Sequence, residues 1–132
     1  MCIRDRNYNG AVALKAVGRR ADALKRFETA LQVGPGNGGV HYGLAWIMAT
    51  APEDELRDGT LAIKHARRAV ELIGQNPFMI DALAAAHAEA GDFEQAVKWQ
   101  EQAIQLATGN NAIVFKARLE KYKQKLPHRQ SN

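Results

Sequence analysis

The 132-residue chain has one cysteine, four prolines and few aromatic residues, 7% in all. A single thiol, Cys2, cannot close an intrachain disulfide or supply a thiolate-rich metal site. No run of about 18 apolar residues occurs, so the sequence offers no helix to cross a bilayer and no membrane insertion is expected. The opening residues lack a basic stretch followed by a long apolar one, so no secretory leader is expected and both cytoplasm and periplasm stay open. Catalytic signatures are missing too. His41, His65, His87 and His128 are scattered, and neither H-E-x-x-H nor G-x-S-x-G is present. The expectation is therefore a protein that is not an enzyme and uses no cofactor or metal.

What the chain does have is alanine, within a composition 46% hydrophobic and 24% charged that suits one domain. Small residues at helix crossings let helices pack closely, which fits this balance better than a large aromatic core. The alanines recur in order. Ala23, Phe27 and Ala30, then Ala62, Ala66 and Ala69, then Ala96, Gln100 and Ala103 each follow an i, i+4, i+7 spacing. A period in the thirties is the mark of stacked helix-turn-helix units.

Around these seams the chain resembles the tetratricopeptide repeat family. In the unit at about 4–37, Ala11, Leu14, Gly18, Ala23, Phe27, Ala30 and Pro35 match the family pattern, with helices expected over Asn7 to Val17 and Ala21 to Val33. In the unit at 38–76, Leu44, Ala45 and Met48 fill the first helix and Ala62, Ala66 and Ala69 the second, with an insertion between them at 50–60. There Pro52 ends one helix, Asp58 or Thr60 caps the next, and Gly74 replaces the family's terminal proline. The unit at 77–110 places Leu83, Ala84 and His87 before the Gly91-Asp92 turn, where Asp92 and Gln95 have capping-box spacing. Gln100 and Thr108 depart from the family's aromatic and proline.

Beyond it, Phe115, Leu119, Tyr122 and Leu126 form one apolar stripe, which predicts a capping helix over 111–126 and a polar tail over 127–132. The resemblance thus implies an all-α, right-handed α-solenoid of three helix pairs plus a cap, spanning 7–126. Residues 1–6, Met-Cys-Ile-Arg-Asp-Arg, resemble a translated sequencing linker from metagenomic reads and are set aside as non-native. The body resembles the C-terminal end of long bacterial, planctomycete-like repeat arrays, so upstream repeats of a parent chain are expected neighbours.

Three local features admit a binding role but read better as structure. Gly34 to Gly39 precedes a helix, as phosphate loops do, yet lacks the Gly-Lys-Ser/Thr ending and sits where the repeat needs a connector. Glu53, Asp54, Glu55 and Asp58 lack the ligand spacing of a calcium loop and read as a solvated insertion. Residues 115–132 carry six Lys or Arg against one Glu, a charge that could attract nucleic acid. Phe115 and Tyr122, however, fall on the apolar stripe and not beside the lysines, so no nucleic-acid partner is expected.

The resemblance also implies where a partner would sit, because in this family the first helices line a groove. Its slots here are Tyr8, Val12 and Lys15, then Tyr42, Trp46 and Ala49, then Asp81, Ala85 and Glu89. Tyr8, Val12, Trp46, Asp81 and Ala85 replace the lysines and asparagines that grip peptide carboxylates in the family's best-known subclass. What is left is an aromatic floor with an acidic end, suited to an apolar or basic peptide or helix anchored on Tyr42 and Trp46. Packing of both rings between helices is the alternative. The implied function is a non-catalytic protein-binding scaffold. The competing expectation is a regulatory or substrate-positioning region of a larger enzyme, such as a membrane glycosyltransferase-like protein.

Overall fold

The computed structural model describes residues 19–130. The helix expected over Asn7 to Val17 lies outside them. Among the described residues there are six α-helices and no strand: α1 (Arg20–Val33), α2 (Gly38–Thr50), α3 (Gly59–Ile73), α4 (Pro77–Glu89), α5 (Phe93–Leu106) and α6 (Asn110–Lys123), with one 3-10 turn at Asp54–Leu56. Consecutive helices pack on one another, and α2 also packs on α4. The architecture is all-α with repeat-like helical packing.

Local chemistry sets the boundaries. Asn37, Asp58, Asn76 and Asp92 each accept a backbone N–H of the following first turn, which satisfies donors no helix can satisfy internally. Pro52 forces Ala51 into an extended conformation at the end of α2. After α4, Gly91 adopts φ +86°, donating to Ala88 O while Asp92 N donates to His87 O, a six-residue reversal that closes the helix end.

The three alanine seams are sealed: Ala23, Phe27 and Ala30 on α1, Ala62, Ala66 and Ala69 on α3, and Ala96, Gln100 and Ala103 on α5 are all buried. Leu44, Ala45 and Met48 of α2 and Leu83, Ala84 and His87 of α4 are buried against them. Close approach is enforced at Gly59, where a Cβ would lie 2.6 Å from the backbone nitrogen of Ala90. The start of α3 thus rests directly on the end of α4.

The acidic residues of the insertion are largely in solvent, with Asp54, Glu55 and Asp58 exposed, while the segment around them is tied to the fold. Arg57 donates to the carbonyls of Ala51 at 2.7 Å and Pro52 at 3.0 Å and pairs with Asp54. Glu53 accepts from the buried Arg20 at 3.3 Å, and Asp58 caps α3. On α6, Phe115, Leu119 and Tyr122 are buried as the stripe predicts, but Leu126 is not part of it. The helix stops at Lys123, and Leu126 lies beyond it, 50% exposed.

Candidate functional site

The end of α6 decides what happens to the tail. Lys125 takes φ +61°, its N–H donates to Tyr122 O at 3.0 Å, and Leu126 N donates to Lys121 O at 2.9 Å. This is the same reversal that closes α4, made without glycine. Pro127 follows and prevents the helix from resuming. The chain turns back, and 127–130 run as a half-buried, non-helical segment over the C-terminal ends of α2 and α4.

Each residue of that segment after the proline has its own receiver. The His128 ring lies 5.6 Å from the Trp46 ring, centroid to centroid. Arg129 pairs with Glu89 at 2.8 Å. Gln130 is held three ways: its N–H donates to Thr50 O at 2.8 Å, its amide nitrogen donates to Thr50 Oγ1 at 2.7 Å, and its amide oxygen accepts from Arg20 Nε at 3.2 Å. Burial, with lesser contributions from the cations Arg118, Lys121 and Arg129, holds the His128 imidazole down at a pKa of about 4, so at neutral pH it meets Trp46 as an uncharged ring.

Beneath this face sits a buried polar hub. Asp81 pairs with Arg118 of α6 and accepts from the Gln100 amide at 3.0 Å, while Gln100 also donates to the Phe115 carbonyl at 3.1 Å. Burial pushes the Asp81 carboxyl above the ordinary range, and Arg118 and Gln100 offset this only in part. The Arg118 guanidinium also lies 5.0 Å over the Trp46 ring, a cation–π contact linking the hub to the face above.

The sequence-predicted site residues therefore divide. Tyr8, Val12 and Lys15 lie outside the described residues. Tyr42 is half-buried and stacks on Trp46 at 6.4 Å, so these two rings do come together. Trp46 itself is only 8% exposed and belongs to the main apolar cluster, with Tyr42, His128 and Arg118 against it, which corrects the expectation of an aromatic floor open to a ligand. Ala49 and Ala85 are buried in the main apolar cluster, and Asp81 is the hub carboxylate, so none of the three is an open groove position. Of the expected acidic end only Glu89 reaches the face, where it is shared between Arg129 and Arg57, the latter at 3.4 Å.

Residues to which the sequence assigned no groove position complete the face: Arg20, Thr50, Arg118, His128, Arg129 and Gln130. The one signal that pointed their way was Gln100, a polar residue in a seam slot that demands burial and hence partners.

A separate cleft of about 940 Å³ lies beside α3 and includes His41, His65 and His87. His41 donates from Nε2 to the Pro35 carbonyl at 2.9 Å, and its Nδ1 lies at hydrogen-bond distance, 3.0 Å, from His65 Nδ1, the donor of that pair being set by the tautomers of the two rings. No group of three residues able to hold a metal occurs among the described residues. No protein-family model matches the chain, and no curated protein is significantly similar to it.

Proposed function

We propose that the chain is a non-catalytic interaction module of the tetratricopeptide type, a right-handed solenoid whose first helices receive a peptide segment from a protein partner. The seam spacing supports the repeat reading. One observation carries the binding reading: the face of α2 and α4 already holds a non-helical piece of polypeptide, residues 127–130, by ring contact, ion pair and backbone hydrogen bond. These are the means by which peptide grooves read extended ligands. The partner's preferred chemistry is basic and aromatic, since Glu89 offers the acid and Tyr42 and Trp46 the rings. The basic helix α6 gives less support to a nucleic-acid reading, because Arg118 is committed to Asp81 and Lys123 lies 3.6 Å from Glu120.

Fluorescence anisotropy with short labelled peptides tests the proposal. Peptides with arginine beside an aromatic residue should bind in preference to acidic ones, and Glu89→Gln should weaken them. Equal binding of acidic peptides, or indifference to Glu89→Gln, would refute this use of the face.

A further inference from the structure

The tail is positioned as a competitor for the face it covers, and its residues spell out what the face accepts. Resting on the peptide-binding reading above, we infer that residues 127–130 are a built-in pseudo-ligand, and that the partner is a segment of another protein presenting a flat ring, an arginine and a glutamine in succession. The three receivers are distinct in kind. Trp46 takes the ring at 5.6 Å, Glu89 takes the guanidinium at 2.8 Å, and Thr50 with Arg20 takes the glutamine backbone and amide through three hydrogen bonds of 2.7 to 3.2 Å.

Two features make the tail a lock that opens. It is joined to α6 through Lys125, an L-residue held at φ +61°, a conformation that side chains other than glycine adopt at a cost. Its ring, moreover, is a histidine that must stay uncharged against Trp46 while Arg118 lies over the same indole and the cations Lys121 and Arg129 are close by. A partner with phenylalanine or tyrosine in that place meets the same indole with no imidazole to desolvate, and so has an advantage over the tail. While the tail is docked, apparent affinity for any such partner is reduced in proportion to the small fraction of open molecules.

The probe is a labelled peptide of this chain's own residues 124–132, Gln-Lys-Leu-Pro-His-Arg-Gln-Ser-Asn, together with the same peptide carrying phenylalanine in place of its histidine. Both are titrated into the full chain, into Arg129→Glu, which repels the tail from Glu89, and into Arg129→Glu with Glu89→Gln. Circular dichroism first verifies that each variant keeps its helices; Gln130→Ala is a second, milder way to loosen the tail. The expected result is binding to Arg129→Glu at least about tenfold tighter than to the full chain, tighter still for the phenylalanine peptide, and weakened again by Glu89→Gln. Equal affinity for the full chain and Arg129→Glu would overturn the lock and leave the binding face standing. Binding to neither would overturn the face and the lock together. A full chain that dimerises with concentration until Arg129→Glu is introduced would show the tail exchanging between copies, which also overturns the intrachain lock.

Discussion

Replacing Asp81 by alanine should be among the most damaging single changes to this fold. The substitution removes the counter-ion of Arg118, a guanidinium whose side chain is 18% exposed, and one of the two acceptors of the Gln100 amide, which is fully buried. Breaking a buried pair from one side typically costs about 3 to 5 kcal/mol, because a charge stays behind without compensation. The raised pKa of Asp81 means its carboxylate is itself poorly compensated, so the loss should fall near the lower end, about 3 kcal/mol. In a domain of this size each 1 kcal/mol lowers Tm by roughly 3 to 5 °C, so a fall on the order of 10 °C is expected.

Urea unfolding at pH 7, followed by circular dichroism and by tryptophan emission, measures the effect. The decisive companion is Asp81→Leu with Arg118→Met, which removes both charges and should recover most of the lost stability. A cost under about 1 kcal/mol for Asp81→Ala, or a double variant worse than the single one, would refute the argument that this pair docks α6 onto α4.

Two further outcomes follow from the packing and from the tail. Gly59→Ala should destabilise by about 1 to 3 kcal/mol, since its new methyl meets the backbone of Ala90, which cannot rotate aside as a side chain can; an unchanged melting curve would show that α3 can slide away from α4. Acidification should release the tail. The docked His128 titrates near 4 against about 6.5 when free, so the released form binds more protons, and docking is complete above about pH 6.5 and lost as pH falls toward 4. Arg118 and Lys121 on α6 and Arg129 in the tail all oppose protonation, and the acid on this face, Glu89, is engaged by Arg129 and Arg57. Amide protection at 126–130, taken relative to the intrinsic exchange rate at each pH, should fall over that range in the wild type and stay flat in His128→Gln; a parallel fall in both would place the acid sensitivity elsewhere.

The alanine seams could be read from the sequence because a helix crossing imposes both size and period. Ala62, Ala66 and Ala69 can serve no other purpose at that spacing while remaining fully buried. The helix starts were legible for the same kind of reason, since Asp58 and Asp92 act on N–H groups three residues away. Asp81 was misread because its partners lie 19 and 37 residues further on, and a slot rule assigns a face to a residue without knowing what will be folded over it. Leu126 fitted the apolar stripe by arithmetic, but the reversal at Lys125 removes it from the helix, and a lysine in a position that favours glycine gives no warning. The tail contacts were invisible for the same reason as Asp81: Gln130 meets Thr50 across 80 residues and Arg20 across 110.

The reversal at Lys125 fixes the direction in which the chain leaves α6, and with it the count of residues from there to each receiver. Ring, guanidinium and amide arrive at Trp46, Glu89 and Thr50 only because His128, Arg129 and Gln130 stand three, four and five places beyond that pivot. Along a non-helical path each added or removed residue shifts the chain by roughly 3.3 Å and exchanges which side each side chain takes. The tail behaves as a ruler: its letters can drift toward related chemistry and still dock, whereas a one-residue insertion or deletion after Lys125 puts every side chain opposite the wrong receiver.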